Sequence, residues 1–230
     1  MTSQDYLNGQ ILLIDKPLGW TSFQVVNKIR WLIRQQFNLK KIKVGHAGTL
    51  DPLASGLLIL CTGKFTKKID SYQAQEKEYT GTITLGGTTP SYDLETEIDQ
   101  VFDTSGISSE MIRATTMQFT GEIKQQPPVF SALKKDGKRL YEYARSGEAV
   151  EIPTRTIRIS TFEITHIDLP KVDFRVVCSK GTYIRSLAHD FGKALDNGGH
   201  LSALRRTKIG DFDVSNAISI ENFEKSLKDS

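Results

Sequence analysis

The stretch from Val44 to Gly56 constrains this 230-residue chain more than any other, because it sets one carboxylate, Asp51, among three glycines, a histidine and a proline. Gly45, Gly48 and Gly56 let the backbone turn tightly or approach a ligand closely, and Pro52 fixes φ directly after the carboxylate. Asp51 is therefore expected to point in one direction, as a reactive group must. The apolar run Leu57-Leu58-Ile59-Leu60-Cys61 follows, able to anchor the loop as a buried strand or a short helix. Asp, Gly and Pro are also what ordinary surface turns contain, so the stretch on its own leaves that reading open.

Upstream, Ile11-Leu12-Leu13-Ile14 reads as a buried strand ending in the turn Asp15-Lys16-Pro17-Leu18-Gly19, after which Thr21 or Ser22 can cap a helix. That helix carries Val25 or Val26, Ile29, Leu32, Ile33 and Phe37 at helical spacing, so one face packs inward. Lys16 suits either a phosphate contact or a loop charge. Downstream, Tyr79 to Leu85 alternates as a half-buried strand and Gly86-Gly87 stops it. Ser91 to Glu97 reads as an acidic loop containing Asp93, and Ser108 can cap a helix that ends before Gly121. Pro127-Pro128 makes Gln125 to Leu133 extended loop or sheet edge, and Leu140 to Arg145 is a short helix closed by Gly147. Thr156 to Ile167 and Val172 to Cys178 are strands. Ser179-Lys180-Gly181-Thr182 then turns into a helix with Ile184, Leu187, Ala188, Phe191 and Leu195 on one face. Arg185 lies at that strand-to-helix junction, a kind of place where sites are commonly built. A last helix is capped at Ser219. This order of elements predicts an α+β architecture around an antiparallel-rich sheet.

Composition narrows the function classes. With 38% hydrophobic and 25% charged residues the chain is ordinary for a globular protein of one large domain or two small ones. No apolar run reaches the length of a membrane span, and Met1 to Asp5 lacks the basic and apolar regions of a secretory signal, so a cytoplasmic location is expected. Cys61 and Cys178 are isolated in apolar runs, which excludes a disulfide framework or a zinc site; no metal is implied. A net charge of +3 is only mildly basic. Local clustering says more: Lys40, Lys41 and Lys43 precede the Asp51 turn, and Lys64, Lys67 and Lys68 follow it. Lys134, Lys135, Lys138 and Arg139 crowd a later loop, and Arg205, Arg206 and Lys208 come near the end. Converging on one face, these make a phosphate track; dispersed, they are solvated charges.

The string from Gly45 to Gly56, followed by Leu57-Leu58, resembles the catalytic signature of the TruB family of tRNA pseudouridine synthases, in which the matching aspartate is the catalytic residue. Four further stretches resemble family motifs in family order: Asp15-Lys16-Pro17 with Gly19 and Thr21-Ser22, Lys77-Glu78-Tyr79, Pro128 to Lys134, and Cys178 to Arg185. The resemblance implies the pseudouridine synthase fold, a long, mixed, largely antiparallel sheet flanked by helices with a cleft across it. It implies one catalytic domain over residues 1–230, with an RNA-clamping segment at about 120–150. Many TruB-like chains carry a C-terminal RNA-binding domain of the PUA type; Ser230 follows Leu204-Arg205-Arg206 too soon for one, so none is expected.

The implied reaction isomerises uridine to pseudouridine at position 55 in the T-loop of tRNA. The N1 glycosidic bond breaks, the uracil rotates, and a bond to C5 forms, with nothing oxidised and no cofactor needed. By the resemblance Asp51 is nucleophile or acid/base, Tyr79 stacks on the flipped uracil with its hydroxyl placed for proton transfer, and Arg185 is the cation that keeps Asp51 ionised. His46 braces the space the flipped bases leave. Lys16 and Pro17 hold the catalytic loop, with Gly48 in that loop. Asp93 holds Arg185 in the RNA-free state, Tyr183, Ile184 and Leu204 form pocket walls, and Lys134 belongs to the clamp. The T-arm of tRNA is the expected partner of a monomer that needs no membrane and no obligate protein partner. Two other classes stay in view. An RNA-binding protein without catalysis would use the same lysines and aromatics but has no reason for a constrained carboxylate facing a polyanion. A nucleoside hydrolase or glycosidase usually needs paired carboxylates or a metal, and no second carboxylate adjoins Asp51 in sequence, although Asp93 could approach it in space.

Overall fold

A computed structural model describes residues 1–131, 133–135, 137–146 and 150–228, divided into two compact units. The first is Met1–Tyr79 with Leu204–Ser230, the second Thr80–Ala203. The main sheet has nine strands and is largely antiparallel, as the order of elements predicts.

The first unit is built on the strand Ala54–Thr62. One edge pairs antiparallel with Ile11–Lys16, from Ile11 opposite Cys61 to Lys16 opposite Gly56. The other edge takes Val44–His46 antiparallel at one end and, in parallel, Leu204–Arg206 at the other. The Leu57–Cys61 run is apolar throughout because both faces are covered. Leu58 and Leu60 pack under the helices Ser22–Gln36 and Ile220–Lys228, whereas Leu57, Ile59 and Cys61 pack with Ala47 and Ile209. Thr21 caps the first of these helices in a capping box with Gln24. Val25, Val26, Ile29, Leu32 and Ile33 are its buried face, as the spacing predicts. Cys61 and Cys178 are buried and unbridged.

The second unit centres on Arg155–Asp168, paired antiparallel with Lys171–Cys178 and with Gly121–Gln125. Its core holds Phe119, Phe162, Phe174 and Phe191, whose rings meet at centroid distances of 5.4 to 6.3 Å. The helix Ile184–Ala194 lays Leu187, Ala188 and Phe191 into this core and carries Arg185 as its second residue. Among the described residues no helix is long and apolar enough to cross a membrane.

Candidate active site

Asp51 lies in the connection between the antiparallel strands Val44–His46 and Ala54–Thr62, and the backbone of that connection is tied down on every side. Ala47 donates to the Ile59 carbonyl at 2.9 Å, and Ala54 donates to the Asp51 carbonyl at 3.0 Å. Leu50 is held twice by one hydroxyl: its N–H donates to Ser22 Oγ at 2.9 Å, and Ser22 Oγ donates to its carbonyl at 3.1 Å. Ser22 is available for this because Thr21, not Ser22, is the helix cap. The Pro52 carbonyl accepts from the Gly19 N–H at 2.8 Å. Beneath the loop Arg206, 1% exposed, donates from Nε to the Leu57 carbonyl at 2.8 Å and from an Nη to the Gly48 carbonyl at 3.0 Å.

Packing dictates the glycine at position 56, and backbone conformation the one at position 48. Gly56 has φ of 103°, and a Cβ there would lie 2.3 Å from the Arg206 carbonyl oxygen. Gly48 has φ of 99°, and a Cβ would come within 3.4 Å of the Arg206 guanidinium. The loop thus comes close to a buried cation while the Asp51 side chain remains partly exposed.

Lys16 ends its strand fully buried, and its ammonium donates to the carbonyls of Pro17 and Trp20. Burial pulls its pKa down to about 8, Asp51 working against that fall and Arg206 adding to it. Of the two sequence readings of Lys16, its placement matches the one in which it holds the loop. Burial, then the charge of Arg206, hold the His46 imidazole below the usual histidine range, against a Gly48 backbone contact that raises it. Tyr79 is buried in the strand Lys77–Leu85, and Leu204 is half-buried opposite Ala54. Lys16, Pro17, His46, Gly48, Asp51, Tyr79 and Leu204 all belong to the first unit.

Arg185, Asp93, Tyr183 and Ile184 belong to the second. Arg185 is 5% exposed; its Nη1 donates to the Phe130 carbonyl at 2.9 Å and the Ser91 carbonyl at 3.3 Å. Its Nε lies 3.6 Å from the Asp93 carboxylate, itself 4% exposed. Asp93 is fixed in turn: its Oδ1 accepts from the Glu95 N–H at 3.0 Å, and its carbonyl accepts from Thr89 Oγ1 at 2.7 Å and Ser91 Oγ at 3.1 Å. Tyr183 precedes the helix, where the Gln125 side chain both accepts from its N–H and donates to its carbonyl. Ile184 is buried. Lys134 is in a short strand paired with Arg139. Parts of the clamp segment at about 120–150, namely residues 132, 136 and 147–149, and the Lys134 side chain lie outside the described residues.

The TruB family pseudouridylate synthase N-terminal domain matches residues 34–184, nearly two thirds of the chain, and the tRNA pseudouridylate synthase B C-terminal domain matches residues 185–229. The chain belongs to the TruB family. It is 66% identical over 229 residues to the tRNA pseudouridine synthase B of Flavobacterium johnsoniae, covering 99% of this chain and 100% of that one. It is 52% identical to the tRNA pseudouridine synthase B of Phocaeicola vulgatus, covering 97% and 95%. Among solved structures, a chain of a Cbf5-Nop10-Gar1 complex matches with a TM-score of 0.73 and 31% identity. That match covers 98% of this chain and 56% of that one, so this TruB chain spans little more than half its length.

Within the TruB frame, one basic cluster is corrected. Arg205, Arg206 and Lys208 do not form a phosphate track as a set. Arg206 is buried under the Asp51 loop, Arg205 makes a two-pronged pair with Asp15 at 2.7 and 3.0 Å, and Lys208 pairs with Asp213 at 3.7 Å. Sequence reasoning also missed Ser22 as a loop anchor. The usable signal was the Thr21-Ser22 pair: a helix needs one cap, which leaves the second hydroxyl to bond elsewhere.

Proposed function

We propose that this TruB-family chain isomerises uridine to pseudouridine at position 55 in the T-loop of tRNA, with Asp51 as the reacting group. The observation that carries the proposal is a carboxylate on a loop whose backbone is tied on all sides, in the TruB signature. Such ties fix where a carboxylate points before substrate arrives, which is the condition for nucleophilic or acid/base chemistry at one sugar or base. The names of the two bacterial relatives support tRNA as the substrate.

In this reading the target uridine is drawn out of its stack. Its N1–C1′ bond breaks, the uracil turns, C5 bonds to C1′, and the proton on C5 leaves while N1 gains one, so the atoms balance with no oxidant and no cofactor. Asp51 supplies the nucleophile or the acid/base for these steps. Tyr79 stacks on the uracil and its hydroxyl carries a proton. Arg185, held by Asp93 before RNA arrives, serves as the cation that keeps the reacting carboxylate ionised. His46 fills the space left by the extruded base, and Tyr183, Ile184 and Leu204 wall the pocket. Lys16, Pro17 and Gly48 shape the loop, and Lys134 acts with residues 120–150 as a clamp on the RNA. The chain works as one catalytic domain, a monomer in the cytoplasm, and takes its affinity from the T-arm.

The test is tritium release from a T-arm hairpin and from whole tRNA, each labelled at uridine C5. Release at similar kcat/KM from both, with pseudouridine in the product RNA, is expected. Free uracil in place of pseudouridine would make the chain a glycosidase. A strong preference for whole tRNA, with a log Kd against log salt slope steeper by several times the roughly 0.7–0.9 expected per phosphate contact, would move recognition beyond the T-arm.

A further inference from the structure

Arg185 owes its placement to the turn Ser91–Asp93, and the middle residue of that turn is under strain. Tyr92 has φ of 64°, the left-handed region that a bulky side chain seldom occupies. Its neighbours supply the carbonyl of Ser91 and the carboxylate of Asp93 that meet the guanidinium. The strained backbone is fixed at both of its polar ends, since the Tyr92 N–H donates to the Thr89 carbonyl at 3.1 Å and its carbonyl accepts from the Leu201 N–H at 2.9 Å. Its ring lies flat on that of His189, centroids 3.9 Å apart and planes 15° from parallel. His189 stands one helical turn beyond Arg185, on the same side of the helix Ile184–Ala194. The helix that carries the arginine therefore also carries the plate against which the turn is pressed.

We infer that Tyr92 and His189 are positioning residues, whose ring stack fastens the Ser91–Asp93 turn to the helix and so fixes the Arg185 guanidinium. The neutral imidazole suits this role. Its Nδ1 is buried with no hydrogen-bond partner, and burial, then Lys193, hold the ring below the usual histidine range against the pull of Asp99. Strain at a turn persists only where the surroundings over-determine it, and here the stack is the added restraint. The inference rests on Arg185 taking part in turnover, and the experiment separates the two.

The variants are Tyr92→Phe, which keeps the ring; Tyr92→Gly, which removes it while suiting the left-handed backbone; His189→Ala; and the Tyr92→Gly/His189→Ala double variant. Two readings are taken on full-length protein with the T-arm hairpin: the single-turnover rate at saturating RNA, and the solvent exchange of the Arg185 Nε–H by NMR. Tyr92→Gly and His189→Ala are expected to lower the rate by about threefold to tenfold with Kd for RNA unchanged, and to speed Nε–H exchange by a similar factor. Tyr92→Phe restores both, and the double variant loses no more than either single one. Unchanged exchange in both single variants, or multiplied losses in the double, overturns the inference. Faster exchange with an intact rate upholds the stack as the device that fixes Arg185 and removes Arg185 from the proposed chemistry.

Discussion

The Asp51 loop and the Arg185 turn spend their hydrogen bonds differently. Around Asp51 many ties go to the backbone: the carbonyls of Gly48, Leu50, Asp51, Pro52 and Leu57 are all claimed, while the residue stays partly exposed and its carboxylate is attracted by the Lys16 ammonium. Around Arg185 the ties go to the side chain itself, a buried cation shared by two carbonyls and a carboxylate. One region ties down the frame around its functional group, and the other ties a buried group directly to its surroundings. In the proposed reaction a group that forms and breaks bonds with substrate gains from the first arrangement, and a buried charge such as that of Arg185 needs the second, since burying it unpaired would cost several kcal/mol. The difference teaches which substitutions should affect chemistry alone and which should also affect the fold.

The sharpest break comes at Asp51. Asp51→Asn keeps the shape of the side chain and every backbone tie, but an amide neither adds to carbon nor relays a proton. Turnover should vanish while Tm and tRNA Kd stay near wild type. A variant retaining a substantial part of the single-turnover rate would remove Asp51 from the reacting role.

Arg185→Lys comes next. A lysine keeps the charge but cannot reach the Phe130 and Ser91 carbonyls and the Asp93 carboxylate in a planar fork. The rate is expected to fall by about a hundredfold, roughly 2.7 kcal/mol, and the melting temperature with it, because buried acceptors lose their donor. Loss of rate without loss of stability would mean that the second region is organised like the first.

Arg206 tests the other side of the comparison. Arg206→Met fills the volume but leaves the Gly48 and Leu57 carbonyls without their donor, at a cost of about 1–3 kcal/mol for each. We expect a destabilisation of about 2–5 kcal/mol by urea titration, with a rate loss of roughly tenfold from the loosened loop, smaller than that expected at Asp51 or Arg185. An unaltered urea midpoint would show that the loop is held without its buried cation.

How much of this was legible depended on how local each signal was. The helix Ser22–Gln36, the stop at Gly86 and the strand that ends at Cys178 follow from periodicity and capping within a few residues, and each lies where the sequence puts it. The strand Gly199–Ile209 was missed because Gly199, His200, Ser202 and three cations interrupt its alternation. Its strand character comes instead from its neighbours in the sheet, among them Lys77–Leu85 and Ala54–Gly56, both far away in sequence. Ser3–Asn8 and Ile69–Ala74 are helices too short for a periodic signal; the first is marked only by its Thr2 and Asp5 capping box. At the site, Asp51 and its glycines were readable because the turn chemistry is contiguous. Arg206 looked like surface charge because nothing nearby in sequence says that two distant carbonyls await it.

The smallest effect, and the one that probes the loop most finely, is the titration of Lys16. Its folded pKa of about 8 lies below the ordinary 10.5, chiefly through burial. Below about pH 8 the ammonium is charged in both folded and unfolded chains, and the cost of burying it is fully present. Between about 8 and 10.5 the unfolded chain holds the proton and the folded one does not, so the Lys16 contribution to stability rises with pH. Activity should move the other way. The neutral amine keeps two N–H groups for the Pro17 and Trp20 carbonyls but donates more weakly and no longer attracts Asp51, so the loop is held less firmly as the fold gains stability. At pH about 8 half the molecules carry the neutral amine, and kcat should be down about twofold. Subtracting the urea stability of Lys16→Met from that of wild type at each pH isolates this group from others that titrate above neutrality. The difference should climb from pH 8 toward 10.5 while the wild-type rate falls; a difference curve that stays flat across that window would mean that Lys16 carries no unusual burden in the folded loop.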